Sequence, residues 1–119
     1  MKAKRVAILG STGSIGVNAL NVVRRMPEHF EVVGLAAHSN AALLARQAKE
    51  FGARCVTLFE PAAAAELKGR LNGACRHLAP GVEGLVELAS HPDVDVVLTS
   101  LGGGVGFAPL LAAIKSGKT

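Results

Sequence analysis

The chain has 119 residues, half of them hydrophobic, with 13 basic side chains against 9 acidic ones and a formal net charge of +4. That length is enough for one core, so residues 1–119 are expected to form a single domain. The basic residues are dispersed and Phe is the only aromatic type, which argues against a nucleic-acid surface, where clustered cations interleave with aromatics. No apolar run approaches the roughly 20 residues of a membrane span.

Val6 to Leu9 is a short, continuous apolar stretch of the kind expected for a parallel strand covered on both faces. The chain reaches this strand after a few residues, leaving no room for a signal or transit peptide, and a cytoplasmic protein is expected. After the loop Gly10–Gly16, Val17, Leu20 and Val23 begin a helix predicted from Ser14 or Ile15 to Arg25 or Met26 and stopped by Pro27. Glu31–Ala37 is the second predicted strand. Asn40 suits the N-cap of a helix through Phe51, closed by Gly52. Arg54–Phe59 is the third strand, Pro61 fits the first turn of a helix over Ala62–Leu71, and Val82–Ser90 is another helix. Asp95–Ser100 is the fourth strand, Leu101–Gly106 (LGGGVG) a loop, and Phe107–Ser116 a last helix ending at Gly117.

Such alternation predicts an α/β fold, a Rossmann-like doubly wound parallel sheet in three αβα layers with right-handed crossovers. The expected strand order is 3-2-1-4, with ligand beyond the carboxyl ends of strands 1 and 4, between facing lips formed by GSTGSIG and LGGGVG. Cys55 and Cys75 lie too far apart in sequence for CxxC chemistry and are expected to be free, buried thiols. The histidines, His29, His38, His77 and His91, lack zinc-binding spacing. Asp93 and Asp95 bracket a strand start, where solvated turn residues are expected.

Gly10-Ser11-Thr12-Gly13-Ser14-Ile15-Gly16 joins an apolar strand to a helix, the junction at which dinucleotide-binding folds receive a pyrophosphate. Gly10 permits the turn, Gly13 lets backbone approach an anion, Gly16 lets the helix pack on the sheet, and Thr12 and Ser14 add hydroxyl donors. The spacing is GxxGxxG rather than GxGxxG, and no Gly-Lys-Ser or Gly-Lys-Thr closes it as in a P-loop. A tight turn that binds nothing is the alternative.

Cofactor choice is expected at the end of the second strand, where an acid favours NAD by accepting from the ribose hydroxyls. Here the residues are His38, Ser39 and Asn40, with no acid. Ser39 and Asn40 can donate to phosphate oxygens and Asn40 starts a helix whose dipole favours an anion, so NADP(H) is expected over NAD(H). The same residues would also serve as a plain polar turn with a helix cap.

The ordered set of GSTGSIG, Asn21-Val22-Val23, Pro27-Glu28-His29-Phe30, Val32-Val33 and AAHSN at Ala36–Asn40 resembles the N-terminal NADPH-binding domain of the 1-deoxy-D-xylulose 5-phosphate reductoisomerase family. The resemblance returns from Gly103 to Lys118, through Pro109, Leu110, Ala112, Ala113, Ile114 and Gly117-Lys118, while Phe59 to Leu88 is not distinctive. It implies an enzyme that isomerises 1-deoxy-D-xylulose 5-phosphate and reduces the resulting aldehyde with NADPH to 2-C-methyl-D-erythritol 4-phosphate, in non-mevalonate isoprenoid biosynthesis, using Mg or Mn. Thr12, Gly13, Ser14 and Ile15 match the family's pyrophosphate loop. His38, Ser39 and Asn40 match its 2′-phosphate segment, although that segment often has Gly and a basic residue before the Asn.

The family's Asn-Lys-Glu motif, metal carboxylates, substrate-phosphate pocket and lid have no counterparts in this sequence. The chain is therefore expected to be a cofactor domain truncated before the catalytic domain, binding nucleotide weakly, holding no metal and catalysing nothing alone. The resemblance further implies a phosphorylated sugar substrate and a homodimer for the full-length enzyme. Two other classes fit the residues: the cofactor domain of another NADP-dependent oxidoreductase, such as a semialdehyde dehydrogenase, and a non-catalytic nucleotide-binding module.

Overall fold

A computed structural model describes residues 3–71, 75–101 and 107–119. Ten elements alternate along it: β1 (Lys4–Leu9), α1 (Ser14–Arg25), β2 (Phe30–Ala37), α2 (Ala41–Phe51), β3 (Cys55–Leu58), α3 (Pro61–Arg70), β4 (Arg76–His77), α4 (Gly81–Ala89), β5 (Val96–Thr99) and α5 (Phe107–Lys115). The strands form one sheet in the order β4-β3-β2-β1-β5, every pair parallel. The predicted order 3-2-1-4 is thus found as β3-β2-β1-β5. The sequence reading missed β4, whose two residues carry no apolar run and pair at the edge only through Cys55 with Arg76 and Val56 with His77.

Alternate residues of each strand feed two separate cores. Val6 and Ile8 of β1 pack with Leu20, Val23, Leu44, Ala48 and Leu67 under α1, α2 and α3. Ala7 and Leu9 pack on the other face with Leu85, Leu88, Ala89 and Ala113 of α4 and α5. This produces the predicted three layers, and each fully buried leucine contributes on the order of 2 kcal/mol by leaving water. The sheet grows outward from β1 through β2, β3 and β4 and then resumes on the other side of β1 with β5, so the connections diverge between β1 and β5, at the switch point of a doubly wound sheet.

In β2 the alternation slips once. Val6 is opposite Val32 but Ala7 is opposite Gly34, so Val33 is an extra residue in the ladder. Val33 packs towards α4, and so does its neighbour: a Cβ on Gly34 would lie 2.2 Å from Leu88 Cδ1. Leu88 occupies the volume that any side chain at position 34 would need.

The amino ends of the strands are tied by charges. Arg5 grips Asp95 through Nε to Oδ2 and Nη2 to Oδ1, both at 3.1 Å, and its backbone N–H donates to the same carboxylate at 2.9 Å. Asp93 lies 3.8 Å from Arg5 and 3.4 Å from Arg54, which also pairs with Glu31. Asp93 and Asp95 lie in the turn before β5 with partly exposed side chains, as expected, and there they join an ion-pair network linking β1, β2, β3 and β5, which the sequence reading did not foresee. The short side-chain range of aspartate and its position before β5 place it opposite Arg5 across the sheet.

Both cysteines are unpaired. Cys55 packs among the α4-side residues and Cys75 against the α1–α3 side, so the sheet separates them. Burial pushes the Cys55 thiol up to about 11. Cys75 is only half-buried, so the expectation of two buried thiols holds fully for Cys55 alone.

Candidate functional site

The loop after β1 is fixed at the carboxyl edge of the sheet by neutral hydrogen bonds. The N–H groups of Gly10 and Ser11 both donate to the Ala36 carbonyl, at 2.7 and 2.9 Å, binding the loop to the end of β2. On the other side the Ser100 N–H donates to Leu9 O at 2.9 Å, and its hydroxyl lies 3.3 Å from Gly10 O. Gly10 has φ +97°, a region that disfavours any Cβ, and a Cβ there would lie 2.5 Å from Ser100 Oγ. The positive φ is what calls for glycine at the turn out of β1, and the Ser100 hydroxyl fills the space beside it.

Gly16 is a second obligatory position, for a reason that differs from the expected one. Its Cβ would lie 2.2 Å from Gly10 O and 2.6 Å from Ser11 Cα. The residue therefore lets α1 close onto its own entry loop, not onto the sheet. Gly13 has only Gly10 O near its Cβ direction, at 3.6 Å, an ordinary contact. The protein itself makes no demand for glycine at position 13, and the exposed loop there leaves room for a ligand.

Gly13 is the N-cap of α1 and no side chain caps the helix. Among the described residues, the first-turn N–H groups of Ser14, Ile15 and Gly16 have no acceptor, so they point the positive end of the helix dipole outward. Thr12 is half-buried, while Ser14 and Ile15 are exposed. Ile15 is 60% exposed, a large apolar side chain left at the mouth of the site.

The turn after β2 stands on the same edge. Leu9 is in register with Ala36 and Ala37 with Leu58, so His38, Ser39 and Asn40 follow directly beyond the strand ends, and all three are exposed. Asn40 Oδ1 accepts from the Leu43 N–H at 3.2 Å and caps α2, which leaves its amide N–H groups free to donate outward. The His38 ring stacks on Phe59 with centroids 5.3 Å apart and planes 28° from parallel. Its backbone is held by Glu60, whose N–H donates to His38 O at 3.0 Å. No acidic side chain stands among residues 37–40.

Sequence reasoning missed Ser11, Gln47, Phe59 and Ser100. Ser11 and Gln47 are both buried and bonded to one another. The signal for Gln47 was present in α2, where it is the one amide within a stripe of Ala41, Leu44, Ala45 and Ala48. The predicted opposing lip, LGGGVG, lies outside the described residues from Gly102 to Gly106; Ser100 and Leu101 bring the chain to the position next to Gly10. Among the described residues there is no cluster of three or more His, Cys, Asp or Glu side chains able to hold a metal ion. No helix described is long and apolar enough to cross a membrane.

A parallel, doubly wound sheet with an uncapped, glycine-led helix at its switch point defines the Rossmann-like class of dinucleotide-binding folds. Within that class, residues 6–119 match the family model of 1-deoxy-D-xylulose 5-phosphate reductoisomerase. The chain belongs to this family. It is 50% identical over 115 residues to the reductoisomerase of Anaeromyxobacter sp. (strain K), covering 97% of this chain and 29% of that protein. The chloroplastic enzyme of Mentha piperita is 41% identical over 117 residues, covering 97% and 25% respectively. Among solved structures, the Zymomonas mobilis reductoisomerase in complex with NADPH superposes with a TM-score of 0.91 at 33% identity, over 99% of this chain and 31% of that one. A DOX-P reductoisomerase in complex with NADPH, fosmidomycin and magnesium gives 0.87 at 32% identity, over 97% and 28%. The chain thus spans less than a third of the length of these relatives.

Proposed function

We propose that residues 1–119 are the NADPH-binding domain of a 1-deoxy-D-xylulose 5-phosphate reductoisomerase, the N-terminal part of an enzyme that isomerises its phosphorylated sugar substrate and reduces it to 2-C-methyl-D-erythritol 4-phosphate. The observation that carries this reading is the uncapped N-terminus of α1 behind a loop whose Gly10 and Gly16 admit no Cβ. Family membership and the NADPH in the Zymomonas mobilis relative support it.

In this reading the free N–H groups of Ser14, Ile15 and Gly16 and the hydroxyls of Thr12 and Ser14 receive the pyrophosphate, Gly13, whose own N–H donates to Gly10 O at 3.2 Å, leaves it room, and Gly10 shapes the turn. Ser39 and the free amide of Asn40 take the adenosine 2′-phosphate, and His38, propped on Phe59, flanks it. The absence of an acid in this turn removes the repulsion that would disfavour NADPH. The chemistry that the cofactor supplies when bound is hydride transfer to an aldehyde; the residues of this chain bind and orient it. The described residues do not fit a magnesium site, so no step through a metal is assigned to them.

The domain alone binds cofactor without turnover. The intact enzyme works as a cytoplasmic homodimer, a compartment whose reducing poise suits the two free thiols. Calorimetric titration with NADPH and NADH tests the assignment, since the chain has neither Trp nor Tyr for fluorescence. NADPH binding at least about tenfold tighter, roughly 1.4 kcal/mol, is the expected result; equal affinities would remove the 2′-phosphate assignment.

A further inference from the structure

Resting on the NADPH reading, we propose that Gln47 is a positioning residue for the cofactor: it sets the pyrophosphate loop against the helix that begins at the 2′-phosphate turn. Gln47 is 7% exposed, on the apolar stripe of α2. An amide in such a place is unfavourable unless paired. Both of its groups are spent on one residue: Nε2 donates to Ser11 O at 2.9 Å and Oε1 accepts from Ser11 Oγ at 2.8 Å.

Ser11 is 0% exposed, and its N–H already donates to Ala36 O. Its N–H, carbonyl and hydroxyl are all engaged inside the protein, so it offers no donor to a ligand and instead fixes the loop that does. The same helix carries Asn40 at its N-cap, about two helical turns before Gln47. One rigid element therefore holds both anchors of the dinucleotide at a set separation. Cutting the Gln47 link moves the pyrophosphate donors while leaving the 2′-phosphate turn on its own cap. The affinity for dinucleotides with and without the 2′-phosphate then falls together, and the preference between them stays.

The test is calorimetry with NADP⁺ and NAD⁺, both usable at acid pH, on the wild-type chain and on Gln47→Leu, Ser11→Ala and Gln47→Glu, with thermal melts of each. Gln47→Leu is expected to weaken both nucleotides by at least about tenfold with an unchanged ratio. Gln47→Glu supplies the diagnostic readout. A protonated carboxyl can donate to Ser11 O and accept from Ser11 Oγ, whereas the ionised form cannot donate, so affinity relative to wild type at the same pH recovers as pH is lowered. A folded Gln47→Leu with wild-type affinity, a loss confined to NADP⁺, or no acid recovery in Gln47→Glu overturns the positioning role. Should Gln47→Leu not fold, Ser11→Ala decides, because it removes one hydroxyl and keeps the carbonyl bond: loss for both nucleotides supports the role and unchanged affinity overturns it. Failure of the wild-type chain to bind either nucleotide overturns the cofactor reading itself, and the positioning role with it.

Discussion

The Gly10 carbonyl stands 2.2 Å from where a Cβ on Gly16 would be. The start of α1 thereby packs directly against the backbone that leaves β1. Gly16→Ala must displace the Gly10–Ser11 peptide, an overpacking change that costs about 1–3 kcal/mol. Denaturant unfolding of the variant checks it, and an unchanged midpoint would show that the loop can yield.

Gly13 separates ligand from fold. Its φ of −80° is open to any residue, and it stands at the N-cap of α1, where Asp is preferred over Gly by a few tenths of a kcal/mol. Gly13→Asp is therefore expected to preserve or slightly raise stability while its carboxylate repels the pyrophosphate and abolishes NADPH binding. Opposite signs in the melt and in the titration are the signature; equal affinity for NADPH before and after the change would remove the loop from the site.

Asn40→Ala removes the acceptor that caps Leu43 N, which costs about 0.5–2 kcal/mol. It also removes the outward amide donors. Thermal melts should show the first effect, and a fall in the NADPH-to-NADH affinity ratio the second. Asn40→Asp retains the cap but places a negative charge beside the 2′-phosphate, so its stability should match wild type while the preference shifts towards NADH.

The Arg5–Asp95 pair makes stability depend on acidity. The Arg5 guanidinium and backbone N–H hold the Asp95 carboxyl down at about 2, from its ordinary 3.8. The unfolded state therefore binds the proton more readily, and the pair's contribution is complete above the ordinary value and lost as pH falls from about 4 towards 2. Urea midpoints measured across this range should decline less steeply in Asp95→Asn than in wild type. Parallel declines would mean that other carboxylates carry the acid sensitivity.

Gly34 and Leu88 form a testable packing couple. Gly34→Ala is expected to destabilise by about 1–3 kcal/mol, because its methyl collides with Leu88 Cδ1. Adding Leu88→Ala should recover part of this loss through space now vacated, a coupling that a double-mutant cycle reads directly. Additive losses would place the strain elsewhere.

Much of this architecture was legible in the sequence because its signals are local. Val6–Leu9, Pro27, Asn40 and Gly52 mark strand, stop, cap and close with residues that act within a few positions of themselves, and the structure keeps those boundaries to within two residues. What escaped reading depends on partners distant in the chain. Gln47 meets Ser11 across 36 residues and Asp95 meets Arg5 across 90, and neither residue announces its partner by spacing. The edge strand Arg76–His77 owes its form to the exposed side of β3 and not to its own composition. Gly16 was singled out correctly as a close-packing glycine, but which surface it meets depends on how Gly10 turns, which only the folded chain displays.

The two ends of the sheet are held by different kinds of force. Charges gather at the amino ends, in Arg5, Asp93, Asp95, Arg54 and Glu31, whereas the glycine loop is kept in place by Ala36, Ser100, Ser11 and Gln47 through uncharged groups. Added electrolyte screens the first set, over a Debye length of about 10 Å at 0.1 M, and leaves the second nearly untouched. The shape of the loop is thus insensitive to ionic strength. A salt titration of cofactor affinity would report the attraction between the protein and the phosphates themselves, free of any contribution from a site losing its form.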